Sequence, residues 1–186
     1  MLGCWCVCSE KIKVQDHSGR ATTFYIRDRL DQGGFSTIEL ASPTQSRQLF
    51  VLKRIICHSK ADEEKALREA HLHLNLPSHP NLLPCFGIAR KALLGHPQGA
   101  LSEVYLILQY AKQGTLQRYL DQSRIRANSI PDRQVTRLML GICEGLLALL
   151  SLHMPLAHRF EAGKRVIAWH LVPSSHGFRL MYTGGN

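Results

Sequence analysis

Apolar and polar positions change rhythm along this chain, and the changes mark its elements. Through residues 10–58 the period is two. Lys11-Ile12-Lys13-Val14 alternates strictly and Thr22-Thr23-Phe24-Tyr25-Ile26 more loosely, with His17-Ser18-Gly19-Arg20 as a turn between them. Ser36-Thr37-Ile38-Glu39-Leu40-Ala41 follows, then the polar loop Ser42-Pro43-Thr44-Gln45-Ser46-Arg47, then a strand over 48–56. An antiparallel sheet is predicted. The rhythm turns helical over 61–76, where Ala66, Leu67, Ala70 and Leu74 form a stripe that Pro77 and Pro80 end. Two further strands are predicted at 82–88 and 104–108, around a surface loop with Gly95, Pro97 and Gly99. A helix runs from Leu116 to about Ser123. A longer one spans 132–152, with Asp132 as its N-cap and Val135, Leu138, Met139, Ile142, Leu146, Leu149 and Leu150 at near-helical spacing. Its lower half is apolar almost all round, as in a helix buried by its neighbours. Residues 160–186 show no clear period.

One polar residue breaks the apolar run Phe50-Val51-Leu52-Lys53. Burying an ammonium without a partner is costly, so Lys53 needs a reason. Upstream, Gly33-Gly34 forms a turn between apolar stretches; downstream, the 61–76 helix carries Glu69. A Gly-Gly pair alone is an ordinary turn, and a strand lysine alone is an ordinary edge residue. Together and in this order they read as the nucleotide-binding half of a protein kinase. Glycine lets backbone N–H groups approach phosphate oxygens, Lys53 neutralises phosphate charge, and Glu69 holds Lys53 by an ion pair.

The stretches Gly33-Gly34-Phe35-Ser36, Leu52-Lys53-Arg54-Ile55-Ile56-Cys57-His58, Arg68-Glu69-Ala70 and His79-Pro80-Asn81-Leu82-Leu83 resemble the Numb-associated group of serine/threonine kinases. Within that group they are most like acylated members, which carry myristate and palmitate at a cysteine-rich N-terminus. Gly114-Thr115-Leu116 and Leu140-Gly141-Ile142-Cys143-Glu144-Gly145-Leu146 extend the likeness, which covers about residues 4–159. It implies an α+β fold: a kinase-like small lobe of antiparallel sheet plus one helix, joined to the first helices of an incomplete large lobe. The implied division is a cysteine-rich tail and first strand (1–20), small lobe and hinge (21–111), partial large lobe (112–159) and a divergent tail (160–186). The resemblance further implies ATP as ligand. Gly33, Gly34 and Phe35 would lie over the phosphates, Leu108 behind the adenine pocket, and Gln109, Tyr110 and Ala111 at the hinge. Kinases usually place glycine where Asp31 stands, and a carboxylate there would weaken phosphate binding if it faced inward.

Ala157-His158-Arg159 opens a kinase catalytic loop, but the aspartate expected next is Phe160. The loop asparagine and the Asp-Phe-Gly motif, which hold Mg2+ in the family, do not follow within the sequence. Only His158 and Arg159 remain of the catalytic loop, and no catalytic set is intact. The break inside a motif reads as an alternative exon, a retained intron or a shifted frame. A nucleotide-binding kinase isoform with little or no transfer activity is therefore expected. The alternative is a membrane-recruited, catalytically dead module that occupies the protein partners of the related kinase.

Composition adds the compartment. Six cysteines stand at 4, 6, 8, 57, 85 and 143, three crowded and three scattered. This is no disulfide framework, and the scattered ones read as buried thiols in a reducing cytoplasm. Cys4, Cys6 and Cys8 lie beside Trp5 and Val7 and read as S-acylation sites; a zinc clip or a disordered tail are the rivals. Leu2 separates Met1 from Gly3, so no N-terminal glycine is exposed for myristoylation. Peripheral membrane association is expected. The net charge of +9, 23 Lys and Arg against 14 Asp and Glu, suits an anionic lipid or nucleotide phosphate. No run of like charge suggests nucleic acid.

Overall fold

The computed structural model describes residues 10–34, 36–93, 100–112, 116–126, 129–152, 168–174 and 177–183. The chain forms two compact units, Met1–Asn75 with Cys85–Tyr110, and Leu76–Pro84 with Ala111–Asn186. The fold is α+β.

In the first unit the period-two segments become β1 (Lys11–Gln15), β2 (Ala21–Gln32), β3 (Ser36–Pro43) and β4 (Phe50–Cys57). Helix α1 (Lys60–Leu74) follows, then β5 (Cys85–Ala92) and β6 (Ser102–Gln109). Every pairing is antiparallel, and the order β1-β2-β3-β4-β6-β5 closes on itself through Gln15 opposite Ile88. The expected sheet is thus a barrel. Alternation turns Ile12, Val14, Phe24, Ala41, Phe50, Leu52, Tyr105 and Ile107 inward as its core. Phe24 and Phe50 meet edge to face at 5.5 Å. Closure depends on Gly87: a Cβ there would stand 2.7 Å from both the Gln15 carbonyl oxygen and Val14 Cγ1.

Helix α1 starts where the Ser59 hydroxyl accepts the Asp62 N–H at 3.1 Å. It lies over β4, β5 and β6. Its buried row is Ala66, Glu69, Ala70 and His73, displaced from the predicted stripe, with Leu67 and Leu74 only half-buried. A charged residue in this row is the first sign that the helix serves more than packing.

The second unit holds α2 (Leu116–Ile125), α3 (Asp132–Leu150) and a hairpin of β7 (Ala168–Ser174) and β8 (Gly177–Thr183). Leu82 and Leu83, expected in a strand, precede β5 instead. Leu82 packs with Leu149 among Leu76, Ile142, Ala148 and Leu152. The Asn81 amide donates to Glu144 Oε2 at 2.7 Å, fixing this segment to α3. Asp132 is the first helical residue and not the cap; Pro131 occupies that position and makes no side-chain cap bond. Helix α3 buries Leu138, Gly145 and Leu149, but Val135, Met139, Leu140, Leu146, Leu147 and Leu150 are exposed. The lower half of α3, apolar almost all round, is thus covered on one side only. The hairpin, with β8 beside α3, falls in the stretch without visible period. Pro173 is tolerated in β7 because both strands of a two-stranded sheet are edges. No helix among the described residues is long and apolar enough to cross a membrane.

Of the scattered cysteines, Cys57 is buried and Cys85 half-buried, while Cys143 on α3 is exposed, against expectation. Burial pushes both the Cys57 and the Cys85 thiol up, the latter to about 11.

Candidate functional site

Strand β4 presents two chemistries because successive residues face opposite sides. Phe50 and Leu52 point into the barrel. Val51 and Lys53 share the other face, where the register sets Val51 opposite Leu40 and Leu108, and Lys53 opposite Ile38 and Leu106. Lys53 is therefore surrounded by aliphatic side chains, which offer an ammonium nothing. Helix α1 answers with Glu69: Lys53 Nζ donates to Glu69 Oε1 at 2.7 Å, with both side chains about 5% exposed. The spacing of these residues in sequence now corresponds to a direct buried ion pair. Such a pair gives each buried group a partner and fixes where the lysine can point.

The other predicted residues fall at the margins of the same sheet face. The turn at Gly33 and Gly34 joins β2 to β3, and Gly33 N–H donates to the Ser36 carbonyl at 2.8 Å. Neither glycine has a positive φ; a Cβ at Gly34 would meet nothing within 4 Å, so this part of the turn is open. Asp31 is exposed in β2, opposite Ile38, and its carboxylate accepts the Gln32 N–H. Leu108 is buried, and Gln109 and Tyr110 are half-buried where the first unit ends. Ala111 begins the second unit. Phe35, Cys4, Cys6, Cys8, His158 and Arg159 lie outside the described residues. Ile38, Leu40 and Val51 were missed by the sequence reading. They are half-buried, share the Lys53 face and form an aliphatic surface beside the ion pair. Their alternation with Thr37, Glu39 and Leu52 was the available signal.

Arg54 was also missed. It points to the barrel side, opposite Thr37 and Tyr105. Its Nη2 donates to Glu10 at 2.6 Å, Nε to Glu39 at 3.1 Å and Nη1 to Glu103 at 3.1 Å. Its guanidinium lies 5.4 Å from the Tyr105 ring centre, and the Tyr105 hydroxyl donates to Glu103. Lys91 reaches Glu10 from β5 at 2.9 Å. Burial raises Glu39 above the usual carboxylate range despite Arg54. At Glu10 burial acts the same way, but the bonds from Arg54 and Lys91 outweigh it and hold that carboxyl low. Burial and the Glu103 bond push the Tyr105 phenol up. This network joins β3, β4, β5 and β6 to the residue before β1.

The protein kinase domain model matches residues 24–159. The chain belongs to the protein kinase family. Its similarity is to serine/threonine kinases: serine/threonine-protein kinase 16 of Rattus norvegicus is 34% identical over 144 residues, covering 77% of this chain and 44% of that protein. The proteins of the same name from Homo sapiens and Mus musculus are 33% identical over the same coverage. The chain thus spans less than half the length of these relatives. Within this family's fold the barrel and α1 are consistent with a small lobe, and α2 and α3 with part of a large lobe.

A kinase ordinarily uses magnesium. Among the described residues no three His, Cys, Asp or Glu side chains are grouped to hold an ion. Residues 160–186 contain a single carboxylate side chain, Glu161.

Proposed function

We propose that this chain binds ATP as a serine/threonine kinase of the Numb-associated group, with little phosphoryl transfer of its own. The buried Lys53–Glu69 pair, on a face lined by Ile38, Val51, Leu106 and Leu108, is the observation that carries the reading. Lys53 meets the α- and β-phosphates, the aliphatic face takes the adenine, and backbone groups of Gln109 to Ala111 bond its edge. The open Gly33-Gly34 turn admits the phosphates, with Asp31 opposing them. Phosphoryl transfer needs a residue that orients the nucleophile and charge that stabilises the transferring group. Phe160 supplies neither, and Lys164 and Arg165 have the wrong sign to replace a carboxylate.

Titration of a fluorescent ATP analogue tests this. Lys53→Met should weaken binding at least about tenfold, the scale of one charge-assisted contact. Asp31→Gly should strengthen it. An Asp31→Gly protein that binds no better than the parent overturns the reading of the turn, and unchanged binding by Lys53→Met overturns the site. No labelled phosphate should be transferred above background, and Phe160→Asp alone should not restore transfer.

Membrane attachment belongs to the same proposal. Cys4, Cys6 and Cys8 take acyl chains, and since one chain binds only marginally, at least two are required. Changing all three to serine should move the protein from the membrane fraction to the cytosol of expressing cells. An unmoved membrane fraction refutes acyl anchoring.

A further inference from the structure

The outer face of β1 and β2 carries a charge pattern that the kinase site does not use. Ile12, Val14 and Phe24 turn into the barrel, so Lys11 and Lys13 of β1 turn outward, opposite Tyr25 and Thr23 of β2. Lys11 Nζ lies 5.1 Å from the Tyr25 ring centre, and the Arg27 guanidinium 5.6 Å from it. Arg27 Nε also donates to Ser42 Oγ at 2.8 Å, and Ser42 pairs with Tyr25, so Arg27 is on this face. Lys11, Lys13 and Arg27 are exposed, and among the described residues no carboxylate forms an ion pair with them. The neighbouring acids are occupied. Glu10 is held by Arg54 and Lys91. Asp16 accepts bonds from Ser18 and Arg20, and Asp28 from the Arg29 N–H. Among the described residues, what remains is three exposed cations with no ion-pairing carboxylate, Lys11 and Arg27 beside the Tyr25 ring and Lys13 next along β1 on the same face.

We propose that this Lys11–Lys13–Tyr25–Arg27 face docks on an anionic lipid surface. Cations near such a surface are attracted by its negative potential, and a tyrosine with an apolar ring and a polar tip suits the headgroup layer. The placement agrees: Lys11 stands three residues after Cys8 in the chain, so an acyl chain on Cys8 would enter the bilayer within a few residues of this face. A nucleic acid is the poorer fit, because the face is two strands wide and offers one aromatic ring. The proposal deepens the membrane-attachment reading and rests on it for its purpose. Its chemistry, however, is independent of acylation, so the two fail separately.

The test uses the full chain made without acylation, co-sedimented with phosphatidylcholine vesicles that do or do not contain about 30% phosphatidylserine. Binding should need the anionic lipid and fall with salt. Lys11→Glu with Lys13→Glu should lose at least about tenfold in partition, at roughly fivefold or more per cation. The neutral pair Lys11→Gln and Lys13→Gln should lose less, but measurably. Arg133→Glu with Arg137→Glu, an equal charge change on exposed positions of α3, should bind as the parent does. Thermal melts confirm that the compared variants are folded. Equal binding to pure phosphatidylcholine, unchanged binding by both lysine pairs, or an equal loss in the α3 pair would overturn the proposal. So would equally strong binding to a short nucleic-acid duplex that depends on the same lysines. If the face binds as expected while the cysteine variant stays on cellular membranes, acyl anchoring fails and the docking face stands.

Discussion

Glu10 and Glu39 touch the same guanidinium and respond to protons in opposite ways. Glu10 is held low, so its contribution to stability is complete above the ordinary carboxylate value and is lost as pH falls through its lowered folded value. Glu39 is raised, so its contribution is complete below the ordinary value and is lost as pH rises through its raised folded value. At neutral pH, Glu10→Gln should therefore destabilise the protein, and Glu39→Gln should be neutral or stabilising. Solvent screens the partly exposed Glu10, which keeps its effect within about 1 kcal/mol. Urea unfolding of both variants at pH near 7 and near 4 checks the signs. The gap between Glu10→Gln and the parent should close in acid; a gap that widens there rejects this account. The Lys53–Glu69 pair was legible in sequence because a lysine in an apolar run demands a partner. The three acids around Arg54 were not, because they come from the edge of β1, from β3 and from β6, and only barrel closure brings them together.

Among the elements, β5 shows how one position can decide closure. Gly87 lies where β1 crosses to β5, and its missing side chain is the space that Val14 and the Gln15 carbonyl occupy. Gly87→Ala forces a Cβ against backbone as well as side chain, and overpacking of this kind costs about 1–3 kcal/mol. A lowered urea midpoint is expected, and an unchanged one would mean that the β1–β5 seam is not closed in solution. The seam was invisible in sequence because a single glycine in a strand pattern reads equally as a bulge or a turn. The strands themselves were legible wherever one face is wet, as in β1. They were illegible in the β7–β8 hairpin, where no alternation announces them. The N-cap of α3 was misplaced because aspartate is favoured both as the cap and in the first turn, and here Asp132 takes the second place.

At the scale of the whole molecule, the exposed face of α3 is the dominant liability. Val135, Met139, Leu140, Leu146, Leu147 and Leu150 are all exposed on one helix. Burying one such side chain contributes about 1.5–3 kcal/mol, against a margin of about 5–15 kcal/mol for an ordinary domain. Apolar surface of this extent favours association. The purified chain should therefore be oligomeric by light scattering, and Leu147→Glu with Leu150→Glu should shift it toward monomer. A monomeric parent at high concentration refutes the expectation. The helix was recognised from its period. Which of its residues would remain uncovered was not legible there, since an apolar residue carries the same pattern whether or not anything packs on it.

Strand β4 carries Lys53 and Arg54 side by side, one committed to α1 and the other to the barrel. A slip of one residue against β3 and β6 would exchange their faces. The guanidinium would then meet Ile38 and Leu106, while a shorter ammonium faced Glu10, Glu39 and Glu103. Each acid set would then meet the wrong cation, a branched guanidinium at the single Glu69 and a one-pronged ammonium at three carboxylates, so the two adjacent cations act as a key that fits best in one alignment. The residues on the barrel side of β4 would thus set the register that brings Lys53 to Glu69.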